Sequence, residues 1–295
     1  MEQDIYFFIG KGGVGKSSCS AVFALQQSRN GKKVIINSID PAHNLSDILE
    51  KKLSNNVSSV TSYLFAQETD IDIWVKRYLK DIEKEMKSTY KYETSFNLDK
   101  YFDTLKYSPG IEEYAILLTI QETLKKNEDK DIIIFDTPPT ALTLKFLSLP
   151  FSSLLWLKQL SKLRKLIFDK KEIITRITKG KNQEKEEKDS VLNRINSMTL
   201  EFDNLVDKFK DKNVSHYILV MNADNLSLNE SIRIKKELLN LEIHIDSVIL
   251  NKYSGEESFL EKIKGIFSPS NFTLLQKQKE EIIGLDRLGS IKLKL

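Results

Sequence analysis

Four of the chain's 11 glycines fall within the six residues that open Gly10-Lys11-Gly12-Gly13-Val14-Gly15-Lys16-Ser17. This cluster constrains the fold more than any other feature. The unbroken run Ile5-Tyr6-Phe7-Phe8-Ile9 enters it as a buried strand, and Lys16 through Ser28 leaves it with helical character, stopping near Asn30-Gly31. A strand, a turn matching G-x-x-x-x-G-K-[ST] and a helix in that order form a phosphate-binding loop. Glycines let the backbone curl until successive N–H groups point at phosphate oxygens, and the helix N-terminus adds its partial positive charge. The residues expected around the phosphates of a bound nucleotide are therefore Gly10, Lys11, Gly12, Gly13, Val14, Gly15, Lys16, Ser17 and Ser18. Lys16 reaches the β- and γ-phosphates, and the Ser17 hydroxyl coordinates Mg²⁺.

Further apolar runs, Val34-Ile35-Ile36, Ile132 to Phe135, Tyr217 to Met221 and Ile243 to Leu250, read as buried strands separated by helical segments. That alternation predicts an α/β fold, a P-loop NTPase whose mostly parallel sheet is covered by helices on both faces. Residues 70–130 and 151–213 are dense in charge, and Leu157, Leu160, Leu163 and Ile167 recur at helical spacing. The expectation is one ATPase domain over 1–295 with a helical lobe formed by about 70–130 and 151–213. The charge run from Lys179 to Ser190 has no apolar residue and reads as a mobile loop.

Composition removes other classes. With 45 Lys+Arg against 42 Asp+Glu there is no compositional case for nucleic-acid binding. The single cysteine, Cys19, rules out a disulfide framework within the chain, an iron–sulfur cluster held by one chain's own thiolates and a CxxC zinc site. No unbroken apolar run approaches the ~20 residues that span a bilayer, and no signal peptide opens the chain. A cytoplasmic protein without stable membrane insertion is expected.

Lys11, giving KGGVGKS, resembles the deviant Walker A loop of the ATPases that include MinD/ParA, nitrogenase iron protein and the ArsA family. In that group the extra lysine touches the nucleotide of a partner subunit, which implies a homodimer with ATP at the interface. Asp40-Pro41-Ala42-His43-Asn44-Leu45-Ser46-Asp47, following a strand, resembles switch I of the ArsA family, which holds arsenite-pump ATPases and targeting ATPases for tail-anchored membrane proteins. Asp40 can hold a Mg²⁺-bound water, and Asp47 can direct the attacking water. Asp47 also suits the first turn of a helix capped by Asn44 or Ser46. Asp136-Thr137-Pro138-Pro139-Thr140 is similar to the family's switch II, with Asp136 in the Walker B position on the Mg²⁺ water shell; Ala141-Leu142 and Lys145 depart from its Gly-His and Arg. Leu226 to Arg233 resembles a further family segment, in which Ser227 and Glu230 read as a capping box. Asn251 matches the adenine-reading asparagine, and Glu281 to Leu288 resembles the closing segment.

The resemblance implies a Mg²⁺-dependent ATPase in which Asp47, Lys11 and Lys16 are catalytic, Ser17, Asp40 and Asp136 serve the metal, and Asn251 binds adenine. Arsenite activation needs soft thiolates, which one cysteine does not supply. The apolar stripes of the lobe either pack it onto the sheet or hold a tail-anchored or other membrane-protein client. A different class, a MinD/ParA-like positioning ATPase acting at membrane or DNA, calls for a basic amphipathic C-terminal helix. The tail from Gly289 to Leu295 alternates like a strand instead and is too short for such an anchor.

Overall fold

The computed structural model describes residues 3–89, 105, 107–179, 190–278 and 280–295. Its strands in chain order are β1 (Asp4–Ile9), β2 (Val34–Ser38), β3 (Ser58–Ser59), β4 (Leu64–Glu68), β5 (Ile132–Asp136), β6 (Ser215–Asn222), β7 (Ser247–Tyr253) and β8 (Asn271–Gln276). They form one sheet in the order β3-β4-β2-β5-β1-β6-β7-β8. All pairings are parallel except the short β3–β4 contact. The predicted α/β class holds.

Burial on both faces explains why the middles of the central strands are apolar, polar residues falling at their ends. Along β1, Ile5, Phe7 and Ile9 join one core and Phe8 the other. The first core is closed by α3 (Ile71–Thr89), α4 (Ile111–Lys126), α5 (Thr140–Lys179), α6 (Ser190–Lys210), α7 (Asn225–Asn240) and α8 (Glu257–Phe267). Phe7 anchors it, stacked between Phe135 and Tyr217 with Phe209 edge-on. The second core lies under α1 (Lys16–Arg29), α2 (Leu45–Ile48) and α9 (Leu285–Ser290). From β1 the chain crosses to β2 on one side and later to β6 on the other, so the crevice at the carboxyl end of β1 is a topological switch point, where α/β sheets bind ligands.

Several elements differ from the sequence reading. β4 (Leu-Phe-Ala-Gln-Glu) and β8 were not read as strands; β4 carries Ala66 and Gln67, and the edge strand β8 alternates exposed and buried residues. The run Ile243 to Leu250 is half strand: Ile243 packs into the core from a turn, and β7 begins at Ser247. Asp224, not Ser227, caps α7, with its Oδ1 accepting from the Ser227 N–H at 2.7 Å. The tail is pinned to α1, because the Gln26 side chain donates to the Leu293 carbonyl at 2.8 Å and accepts from its N–H at 3.0 Å.

The leucine stripe of α5 divides. Leu154 and Leu157 are buried in the first core, whereas Leu155, Trp156, Leu160, Leu163, Leu166 and Ile167 are exposed within the described chain. By length and composition, Thr140–Phe168 is also apolar enough to cross a membrane, with 39% of its apolar window buried. Its apolar residues are interspersed with polar and basic ones, so no unbroken run marks it in the sequence. The charge run Lys179 to Ser190 lies outside the described residues except at its two ends, as do residues 90–104 of the first lobe stretch.

Candidate functional site

The turn after β1 is built by two glycines. Gly10 has φ 148°, and a Cβ there would lie 2.2 Å from the Val220 carbonyl oxygen of β6. Gly15, with φ 94°, starts α1, and a Cβ on it would meet the Asn251 amide nitrogen at 2.4 Å. These close approaches let the loop turn tightly over the sheet edge. The resulting cleft, about 320 Å³, is lined by Gly12, Gly13, Gly15, Lys16, Ser17, Ser18 and Asp40, with Pro139 and, from switch I, Ala42, Asn44 and Ile48.

Charge is concentrated beneath this cleft. Lys16 is 4% exposed, and its ammonium donates to the Lys11 carbonyl at 3.3 Å. Burial pulls its pKa down, while Asp136, Asp40 and Glu230 push it up. Asp136, ending β5, is completely buried, and burial drives its carboxyl up to about 6 against the opposing pull of Ser17, Lys16 and Ser38. Its Oδ2 accepts from the Ser38 hydroxyl at 3.2 Å, but Oδ1 has no hydrogen-bond partner among the described residues. A buried carboxylate oxygen without a partner is costly, and it suits a site completed by a cation or its water. The oxygen donors fit Mg²⁺, a hard cation usually held by one or two protein oxygens, substrate phosphates and waters. Among the described residues no cluster of three His, Cys, Asp or Glu side chains offers an all-protein cage.

The structure therefore brings the loop, Asp40 and Asp136 to one place, though they are distant in sequence. Asp40 is buried and accepts from the Ala42 N–H at 3.0 Å. Asn251, at the end of the β7 core, donates its amide to the Val14 carbonyl at 2.7 Å and accepts from the Lys252 N–H at 2.8 Å. It clamps the loop from below, keeping one N–H and one lone pair for other partners. Asp47 lies elsewhere: it is exposed on α2 and lines an adjacent cleft of about 730 Å³ with Ser46, Glu50, Lys51, Lys52, Glu281 and Ile283. Sequence reasoning missed Ser38 and Glu68, which end β2 and β4. An acid closing a short apolar run was the available signal for Glu68, had β4 been recognised.

A phosphate loop at the switch point of a mainly parallel sheet, with a buried acid ending the neighbouring strand, defines a P-loop nucleoside triphosphatase. The profile of the anion-transporting ATPase family matches residues 3–295, and the chain belongs to that family. It is an ATPase. Similar proteins include an Aquifex aeolicus protein described as an arsenical pump-driving ATPase, 28% identical over 96% of each chain. ATPase GET3A of Arabidopsis thaliana is 28% identical over 96% of this chain and 80% of its own. ATPase get3 of Aspergillus niger is 28% identical over 96% and 87%.

Proposed function

We propose that this ATPase is a Mg²⁺-dependent, cytoplasmic homodimer that closes around ATP and serves a membrane-protein client, such as a tail-anchored protein, or a membrane transport partner. Relatives of both kinds, arsenical pump-driving ATPases and GET3-type ATPases, support the two branches. The observation that carries the client reading is the apolar row on α5, with Leu155 63%, Trp156 69% and Leu166 59% exposed. Monomeric proteins rarely leave such a row to water. The four helices α3 to α6 are read as the lobe that presents it. The positioning-ATPase reading gains nothing from the tail, which is packed on α1.

In this reading Ser17 binds Mg²⁺ directly, and Asp40 and Asp136 do so through water. The metal, when bound, neutralises charge developing on the phosphates. Lys16 and the partner's Lys11 add positive charge at the same oxygens, Asn251 reads the adenine edge, and Asp47 directs the attacking water. Asn44 and Ile48 of switch I line the nucleotide cleft, and in this reading Asp47 reaches it when α2 turns about its anchored first residues.

Asp47→Asn is expected to abolish hydrolysis while ATP binding persists, measured by phosphate release and nucleotide titration. Unchanged turnover removes the role given to Asp47. The ATP-trapped variant should form a complex with a synthetic peptide bearing a terminal transmembrane segment, and Trp156→Glu with Leu163→Glu should abolish that complex. A complex indifferent to both substitutions defeats the client surface.

A further inference from the structure

We propose that Glu68 is a positioning residue for hydrolysis, a buried carboxylate that sets where switch I holds Asp47. The inference rests on the role given to Asp47 above. Glu68 ends β4 and is 7% exposed. Its carboxylate accepts from the backbone N–H groups of Leu45 at 3.0 Å and Ser46 at 3.2 Å, and also from the Ser46 hydroxyl. The Ser46 hydroxyl in turn accepts from the Leu53 N–H at 3.2 Å, and the Glu68 N–H donates to the Ser54 carbonyl at 3.0 Å. Both ends of the excursion 45–54 therefore close on one residue of the sheet.

The helix that carries Asp47 has four residues, too few to sustain itself, because the first helical turn costs more conformational freedom than its bonds return. Its direction must come from anchors. At its far end the anchor is the Ile48 carbonyl, which accepts from the Gly284 N–H at 2.9 Å. At its near end the two backbone N–H groups immediately before Asp47 are held by Glu68. Bonds to a carboxylate are short and strong, and a buried one has no competing water. Glu68 is itself located by the nucleotide side of the sheet. It pairs in register with Ser38, whose hydroxyl holds Asp136, and the Thr69 N–H donates to the Ser38 carbonyl at 2.8 Å. One backbone frame thus fixes the Walker B acid and the start of α2 together.

Misplacing a catalytic group by an ångström costs about 100-fold in rate without touching substrate binding. Glu68→Ala is accordingly expected to lower kcat about 10- to 100-fold with the KM for ATP within about two-fold of the parent. Glu68→Gln keeps an oxygen for the two backbone donors and should restore most of the rate. Ser46→Ala removes one of the three bonds to Glu68, along with the acceptor of the Leu53 N–H, and should cause a smaller loss, which also tests the idea if Glu68→Ala folds poorly. Added to Asp47→Asn, Glu68→Ala should cost nothing further, because residues acting through one another are not additive. The proposal is overturned by full turnover in Glu68→Ala or Ser46→Ala alongside an inactive Asp47→Asn, or by loss of ATP affinity in step with rate. Full turnover in Asp47→Asn itself instead rejects the Asp47 role and leaves the two failures distinct.

Discussion

Replacing Gly10 with alanine tests whether the loop glycine serves the fold before it serves any ligand. At φ 148° an L-residue is strained, and the new Cβ would come within 2.2 Å of the Val220 carbonyl oxygen, well inside the 3.0 Å that real Cβ atoms respect. Val220 belongs to β6, held between β1 and β7, so its backbone cannot retreat without disturbing two strand pairings. Backbone strain of this kind costs about 1–3 kcal/mol, and forcing extra volume into packed structure about 1–3 kcal/mol more. The total, about 2–6 kcal/mol, is a large part of a typical domain's stability. Gly12→Ala is the control, since its Cβ finds nothing nearer than Pro139 Cγ at 3.9 Å. Urea unfolding without nucleotide should show Gly12→Ala within about 0.5 kcal/mol of the parent. With a slope near 3 kcal/mol per molar urea, Gly10→Ala should unfold roughly 0.7–2 M earlier. Equal midpoints for the two variants would refute the steric argument.

Two further outcomes follow from contacts made by residues of β6 and β7. His216 sits between Asp4 at 3.9 Å and Asp246 at 3.8 Å and packs on Tyr6. The neighbouring Asp246 carboxylate, with Asp4 beside it, raises its pKa in the folded state, so its stabilising effect is fully present below the unfolded value of about 6.5 and is lost as pH rises through the folded one. The thermal midpoint of the parent should therefore exceed that of His216→Gln by more at pH 6 than at pH 9, and a constant difference would contradict the assignment. Asn251→Ala leaves the Val14 carbonyl without its buried donor, a loss of about 1–3 kcal/mol that should weaken ATP binding by up to about 5- to 150-fold in a fluorescence titration. Unaltered affinity would show that the clamp is dispensable.

Legibility differed with the range of the interaction. The strands Ile132–Asp136 and Ser215–Asn222 were visible because burial on both faces keeps their middles, Ile132 to Phe135 and Tyr217 to Met221, apolar without interruption. β8 was obscure because an edge strand needs only one buried face, and Ile243 misled because a turn residue can be as buried as a strand residue. The α5 stripe was legible as helical, yet spacing alone did not separate Leu157, which packs, from Leu163, which does not. That difference depends on which side of the helix meets the sheet.

The phosphate loop and the acids that follow their strands are readable from spacing within a few residues, and the α/β class from the alternation of apolar runs with helical segments. Three contacts become visible in the folded chain alone: Asn251 reaches back 237 positions to clamp Val14, Gly10 makes room for a carbonyl of β6, and Glu68 holds the helix bearing Asp47. These are contacts between strand ends brought side by side by the sheet order, and no local window of residues carries that order.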